Sequence, residues 1–326
     1  MKKPNFALIS LFEIAALFIV LGSILGLFNL FSEFLSGILI FELLSHFKLQ
    51  YMISAAILAM IFYFFKRQQL FLLMIAIFIL NANFVLPWLS SYPIGHKANQ
   101  QTNQSIKILL SNVKTNNTNT QKLLDLIEQQ QADIIVTLEV NQNWIVALEP
   151  LKINYPHKLT LPQEDNFGIA LYSKLPFADI KAVSFSNLAI PSIVAKFETN
   201  HKPLTIVATH PLPPVGNQYL QQRDNQLKAI GNYLQKVTHA KVLVGDLNIS
   251  MWSRVYQQLA LDSDLVNARR SNGLYPSWPT RLPLSIASIP IDHIMHSKQL
   301  ATTSFTTGPN IGSDHLPIIA ELSFSE

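Results

Sequence analysis

Hydrophobic and polar positions divide the chain into two regimes. From Phe6 to Leu30 every residue but Glu13 is uncharged and most are apolar. A helix of that length, at about 1.5 Å per residue, exceeds the roughly 30 Å hydrocarbon core of a bilayer. Leu49 to Phe65 and Leu70 to Leu89 carry no charge and are separated only by Lys66, Arg67, Gln68 and Gln69, which predicts a helical hairpin. Phe31 to Lys48 contains Glu33, Glu42, His46 and Lys48, and its clean apolar run is too short to cross. It reads as an interfacial helix, with a fourth span as the alternative. Lys2 and Lys3 before an apolar run also fit a cleavable signal peptide, but the run is long and two further hydrophobic segments follow it.

Three transmembrane helices are therefore expected, at about 6–30, 49–65 and 70–89 in a membrane domain of residues 1–90. Lys2, Lys3, Lys66 and Arg67 belong on the cytoplasmic side by the positive-inside rule. That order makes the chain a multi-pass cell-membrane protein and leaves its C-terminal part outside the cytoplasm, on the periplasmic face if the chain is bacterial. Glu13, near the cytoplasmic end of its span, can snorkel to the surface.

Ser90 to Gln104 is polar, with Pro93 and Gly95, and reads as a linker, its core at 91–104. From residue 105 to 326 short β-branched runs recur: IKILLSN, DIIVTLE, GIALYS, SIVAKFE, LTIVATH, KVLVGDLN and PIIAELS. Helical periodicity appears at TQKLLDLIEQQ and YLQQRDNQLKAIGNYLQKV. The expectation is an α/β domain.

Composition sharpens this picture. Hydrophobic residues make up 49% and charged residues only 13% of the 326 positions, about half the usual charged share. The net charge of +4 resides mostly in the membrane half: six Lys/Arg and three Asp/Glu precede residue 104, against eighteen and seventeen after it. A nearly neutral domain gives no support to a polyanion-binding groove. With no cysteine in the chain, thiolate metal sites, iron–sulfur clusters and cysteine nucleophiles are excluded.

The chemistry lies at the strand ends. Apolar runs finish on Asn112, Glu139, His210, Asp246 with Asn248, and Asp292 with His293, and GSDHLPI adds Asp314 and His315. A buried carboxylate is costly without a cation or hydrogen-bond partner, so these residues predict one shared site at a sheet edge. Their oxygen-rich character favours Mg²⁺ or Mn²⁺ over zinc. Asp246 and Asn248, two apart, would share a face of an extended chain.

SN at Ser111/Asn112, the strand ending in Glu139, NFGIALYSKLP, TH at Thr209/His210, GDLN, IDHI and SDHLP resemble, in this order, the endonuclease/exonuclease/phosphatase superfamily, which has the deoxyribonuclease-I-like fold. The membrane half and THPLPP further resemble a bacterial, membrane-anchored subgroup. The resemblance implies a four-layer α/β sandwich and a phosphoesterase. It implies metal binding at Glu139, supported by Asn112 and Asp314. Asp246 would orient or deprotonate the attacking water, and Asn248 would hold a phosphate oxygen. His315 with Asp292 would act as a base or as a stabiliser of phosphate charge, and His210 would act at the leaving oxygen. Arg223 and Trp278 are candidate substrate contacts, and His293 and His296 read as structural.

The expected partners are the lipid bilayer and a phosphoester substrate, nucleic acid or phospholipid. No protein partner is inferable. The alternative function is a non-catalytic binding module beside the membrane.

Overall fold

The computed structural model describes residues 6–31, 33–89, 105–199, 202–281 and 284–325; the expected linker at 91–104 lies outside them. The N-terminal part consists of α1 (Phe6–Phe31), α2 (Glu33–Ser36), α3 (Leu39–Ser45), α4 (Lys48–Phe64) and α5 (Gln68–Leu89). α1 and α5 are long and apolar enough to cross a membrane, while α3 and α4 could together form one span bent by 66°. At 17 residues α4 is the shortest expected span, and seven-residue α3 cannot cross by itself.

Polarity in this bundle is inverted relative to a water-soluble one. Leu17, Phe18, Ile57, Met60 and Ile79 are exposed, whereas Ser23, Asn29 and Asn81 are buried. Asn81 Nδ2 donates to Ser23 Oγ at 2.9 Å, tying α5 to α1. Such an arrangement suits a hydrocarbon solvent, in which polar groups find partners between helices. Small residues bring the helices close: a Cβ at Gly22 would collide with the Tyr51 ring, and one at Gly26 with the Leu44 carbonyl. At the hairpin turn Arg67 Nη2 lies 3.6 Å from Glu13 Oε1, so Glu13 does have a partner at that end.

The rest of the chain forms β1 (Ser105–Asn112), α6 (Thr120–Gln130), β2 (Ile134–Leu138), α7 (Gln142–Ala147), β3 (His157–Leu161), β4 (Ile169–Ser173), β5 (Phe177–Ser184), β6 (Pro191–Thr199) and β7 (Lys202–Ala208). It continues through α8 (Asn217–Gln235), β8 (Ala240–Asp246), α9 (Arg254–Asp262), β9 (Leu265–Asn267), β10 (Asp292–Ser297), β11 (Leu300–Thr307) and β12 (Ile318–Phe324). Two six-stranded sheets form, ordered β11-β12-β1-β2-β4-β3 and β5-β6-β7-β8-β10-β9. Strand alternation explains the apolar runs: Ile108, Leu110, Val242 and Val244 point into the space between the sheets. Leu109 and Ile135 pack outward against α6 and α7, and Val207 and Leu243 against α8 and α9. A strand covered on both faces reads as continuous hydrophobicity. The result is the expected four-layer α/β sandwich.

The two parts are joined by more than chain connectivity. Leu49, Met52, Phe84, Val85 and Trp88 pack into the cluster that holds Leu247, Ile249, Met251 and Trp252. Within the polar part of the interface Glu42 is fully buried; its Oε1 lies 2.7 Å from Arg223 Nη2. Its Oε2 accepts from Asn29 Nδ2 at 2.7 Å and from Ser253 Oγ at 2.8 Å. Trp252 Nε1 donates to the Phe84 carbonyl at 3.0 Å. Both ends of the α4–α5 hairpin thus meet the sandwich, and Lys66/Arg67 lie at the far end.

Removing one partner of a buried ion pair typically costs about 3–5 kcal/mol, mostly through the charge left behind. Glu42→Ala should fall near the lower limit, because Asp224 Oδ1 still faces Arg223 Nη2 at 2.6 Å. Adding Arg223→Met should recover part of the loss. Thermal unfolding of the full chain in detergent checks this; an unchanged midpoint for Glu42→Ala would contradict the pairing.

Candidate active site

The topology explains why residues far apart in sequence meet. β1 and β2 are parallel, so Asn112 and Glu139 leave the first sheet at one edge. β7 and β8 are also parallel, which brings His210 and Asp246 to the corresponding edge of the second. β10 runs antiparallel to β8 with Asp292 opposite Asp246. The loop before β12, antiparallel to β1, delivers Asp314 and His315. Strand direction and register therefore bring most of the expected carboxylates and imidazoles to one edge.

Asp246, almost completely buried, is the centre. Its Oδ2 accepts from Asn112 Nδ2 at 3.2 Å and lies 3.5 Å from His210 Nε2 and 3.6 Å from His315 Nε2. Its Oδ1 accepts from the Asn248 backbone N–H at 2.9 Å. His315 Nδ1 donates to Asp292 Oδ2 at 2.9 Å. Burial alone would lower the His315 imidazole, but the charges of Asp292 and Asp246 and the Asp292 hydrogen bond outweigh it and raise it to about 9. His210 is also raised: burial opposes, while the hydrogen bond and charge of Asp246 and the charge of Glu139 prevail. Burial would push Asp246 up, yet the charges of His315 and His210 and the His210 and Asn248 hydrogen bonds hold it well below the usual carboxylate range. One carboxylate thus stands between two imidazoles whose protonated forms it favours.

Two sequence expectations need correction. Asn248 does not share an extended face with Asp246: it sits at φ 52°, because the Asp246 side chain caps the backbone two residues on, a turn in which asparagine tolerates the left-handed region. Its Nδ2 donates to the Pro211 carbonyl at 2.9 Å, and the residue still lines the cavity. Arg223 is no substrate contact. It is fully buried, held by Glu42 and Asp224, and its Nη1 donates to the Asn248 carbonyl at 3.0 Å. Asn112 spends its Nδ2 on Glu139 Oε1 at 2.9 Å as well as on Asp246, and its Oδ1 accepts the Lys114 N–H at 3.1 Å. It braces the carboxylates.

Glu139 adopts φ 60°, an unusual conformation that clusters at functional sites. Asn141, and not Glu139, caps the following helix, accepting from Trp144 N at 3.1 Å. Asp314 faces Lys114 Nζ at 3.1 Å. Gly245 of the GDLN segment is required by packing, since a Cβ there would collide with the Thr209 carbonyl. His293 is structural as expected, with Nε2 2.7 Å from the Ile249 carbonyl and Nδ1 2.8 Å from Asn267. His296 bonds Thr302 Oγ1.

These groups open into a cavity of about 870 Å³, which Glu139, His210, Asp246, Asn248, Asp314 and His315 line. Trp278 lines it too, its ring 6.3 Å from that of His315, and Phe167 lies 5.7 Å from the His210 ring. Sequence reasoning missed Lys114, Phe167 and, from α3, Leu43 and His46, all in the cavity wall. The Glu42/His46 pair, one helical turn apart in an otherwise apolar segment, was the available signal.

The donor chemistry fits a hard divalent cation. Glu139 and Asp314 offer carboxylates to the cavity, and Asp292 Oδ1 is buried with no partner among the described residues. Asp246, Asp292 and His315 also present atoms within 4.8 Å of one another. Because His315 Nδ1 is engaged by Asp292 and its ring is held cationic, that trio reads as an ion-paired relay, leaving Glu139 and Asp314 as the better ligands.

Comparison with known proteins agrees with this geometry. No curated protein matches the sequence. The fold is shared with an endonuclease/exonuclease/phosphatase from Beutenbergia cavernae DSM 12333, at 18% identity and TM-score 0.58, covering 68% of this chain and 72% of that one. D. rerio TDP2 complexed with single-strand DNA product is similar at 14% identity and TM-score 0.58, covering 68% and 99%. The human Nocturnin catalytic domain with bound sulfate is similar at 19% and 0.56, covering 68% and 95%. The profile of the Endonuclease/Exonuclease/phosphatase family matches residues 108–315, from within β1 to His315, and the chain belongs to this family of phosphoester-hydrolysing enzymes.

Proposed function

We propose that the protein is a membrane-anchored, Mg²⁺-dependent phosphoesterase that hydrolyses a P–O bond by in-line attack of water. The observation that carries this reading is the Asp246 carboxylate between His210 and His315, with Asp292 behind His315. A divalent cation, held by Glu139 and Asp314, would neutralise charge on a phosphoryl oxygen. Asp246 orients the attacking water through a hydrogen bond and takes up its proton as the new O–P bond forms and the old P–O bond breaks, then returns it to His210 Nε2, 3.5 Å away. His315, kept cationic by Asp292, binds a non-bridging oxygen and stabilises the charge that grows in the transition state. Of the two roles the sequence left open for it, the raised pKa favours this one over general base. His210, whose protonated form Asp246 and Glu139 favour, stands on the other side of Asp246 as the proton donor for the leaving oxygen. Asn248 fixes a phosphate oxygen.

Activity should vanish with EDTA and return with Mg²⁺ or Mn²⁺. Glu139→Gln should raise the metal concentration for half-maximal activity. Full wild-type activity in chelator would contradict the mechanism, and an unchanged metal dependence in Glu139→Gln would remove that residue from the metal shell.

The proposed orientation places α1, α5 and the bent α3–α4 pair across the membrane with Lys66/Arg67 in the cytoplasm and the sandwich outside. Its support is that the hairpin turn and the sandwich lie at opposite ends of α4 and α5. A reporter active only outside the cytoplasm, fused after Glu326, should be active; strong signal from a cytoplasm-only reporter there would reverse the topology.

A further inference from the structure

One stretch of the cavity wall comes from outside the sandwich. Leu43 and His46 of α3 line the cavity beside Pro213, Pro214, Val215 and Tyr219. α3 is held there by three sets of contacts. The Leu39 N–H donates to Asn217 Oδ1 at 3.3 Å, His46 Nδ1 lies 2.8 Å from Ser250 Oγ, and Glu42 pairs with Arg223. The wall is therefore preformed.

Its exposed surface is apolar and runs outward. Val215 is 74% and Tyr219 43% exposed. Ile40, one helical turn before Leu43 and so in line with it, is 51% exposed. α3 itself joins α1 and α4, whose exposed sides are hydrocarbon. The charges in the cavity point the same way. Besides the imidazoles, Lys114 is the one Lys or Arg among the lining residues, against Glu139, Glu164, Asp165, Asp246 and Asp314. A polynucleotide track needs rows of cations to neutralise phosphates; this cavity suits a single phosphoester accompanied by a divalent ion.

We infer that the strip formed by Ile40, Leu43, Val215 and Tyr219 binds the hydrocarbon chain of the substrate, a bilayer phospholipid whose phosphoester enters the catalytic cavity while its chain lies along α3. This rests on the phosphoesterase reading. It assigns α3 a second role beyond anchoring, as the part of the membrane segment that hands the substrate to the site.

The test uses the full chain in nanodiscs with Mg²⁺ and a series of p-nitrophenyl alkyl phosphodiesters bearing methyl, hexyl or dodecyl chains. Burial of a methylene is worth about fourfold in affinity, so even partial contact predicts a dodecyl-to-methyl ratio of kcat/KM at least about tenfold above one. Leu43→Ser/Val215→Ser/Tyr219→Ser should collapse that ratio, whereas Ile153→Ser, exposed and away from the cavity, should keep it. Partitioning of the chain into lipid would affect wild type and variant alike. The variant's melting temperature, and calorimetric binding of dodecylphosphonate by wild type and variant, provide readings that do not depend on turnover. A folded triple variant with the wild-type ratio overturns the inference, as does cleavage of a single-stranded oligonucleotide with kcat/KM equal to that of the dodecyl ester. If the methyl ester is hydrolysed but the ratio is flat, the chain site falls and the phosphoesterase reading stands. If no ester is cleaved yet dodecylphosphonate binding requires Leu43, Val215 and Tyr219, the chain site stands and the hydrolytic reading falls.

Discussion

A carboxylate that is almost inaccessible to water, Asp246, sets the terms for the catalytic half of the molecule. Stripping such a group of water costs several kcal/mol unless charge and hydrogen bonds replace the solvent. Here Asn112, His210, His315 and the Asn248 backbone supply that replacement. Each compensating group comes from a different strand end, so the site exists only if both sheets are in register and their edges are aligned. The electrostatic cost also explains the second carboxylate: Asp292 keeps His315 charged, and a charged His315 keeps Asp246 ionised. The same mutual dependence that permits burial favours the protonated forms of both imidazoles at the cavity.

A second buried carboxylate performs a comparable task where the N-terminal helices meet the sandwich. Glu42 accepts from Asn29 and Ser253 and pairs with Arg223, and Arg223 in turn holds the carbonyl of Asn248. A line of hydrogen bonds thus runs from the membrane segment to a residue that lines the catalytic cavity. The helices and the sandwich share one packed interface, and excising the sandwich would expose Leu247, Ile249, Met251 and Trp252 and leave Arg223 without Glu42. Assays on the whole chain are for that reason more informative than assays on the C-terminal fragment.

Much of this was legible in the primary structure because burial leaves a strong trace. The long apolar helices α1 and α5 were visible as nearly uncharged runs, and strands covered on both faces, such as β1, β2, β7 and β8, as continuous apolar segments. The polar strand ends stood out against them. Less visible were β5, whose side chains are mostly exposed, β11, which is threonine-rich, and β3, which lies at a sheet edge. Arg223 was misplaced because its partner, Glu42, is 181 positions away, and no local pattern links a helix in the sandwich to a membrane segment. Asn248 was misplaced because strand geometry was extended one turn too far. Leu43 and His46 could not be assigned to the cavity, since only the docking of the two halves brings α3 there.

The central claim is that Asp292 works through His315 to hold an imidazolium beside Asp246. The most direct measurement is a double-mutant cycle on hydrolysis of bis-p-nitrophenyl phosphate by the full chain, read as kcat across pH. Asp292→Asn and His315→Ala should each lower kcat by about 10² to 10⁴, the range for groups that act on protons. The double variant should be little worse than His315→Ala, because residues acting as one unit are not additive. In wild type the dependence on the imidazolium should be complete below the ordinary histidine pKa and be lost as pH rises through about 9, and Asp292→Asn should move that loss to lower pH. Independent, multiplicative losses with an unshifted alkaline limb would contradict the account and place Asp292 in a role separate from His315.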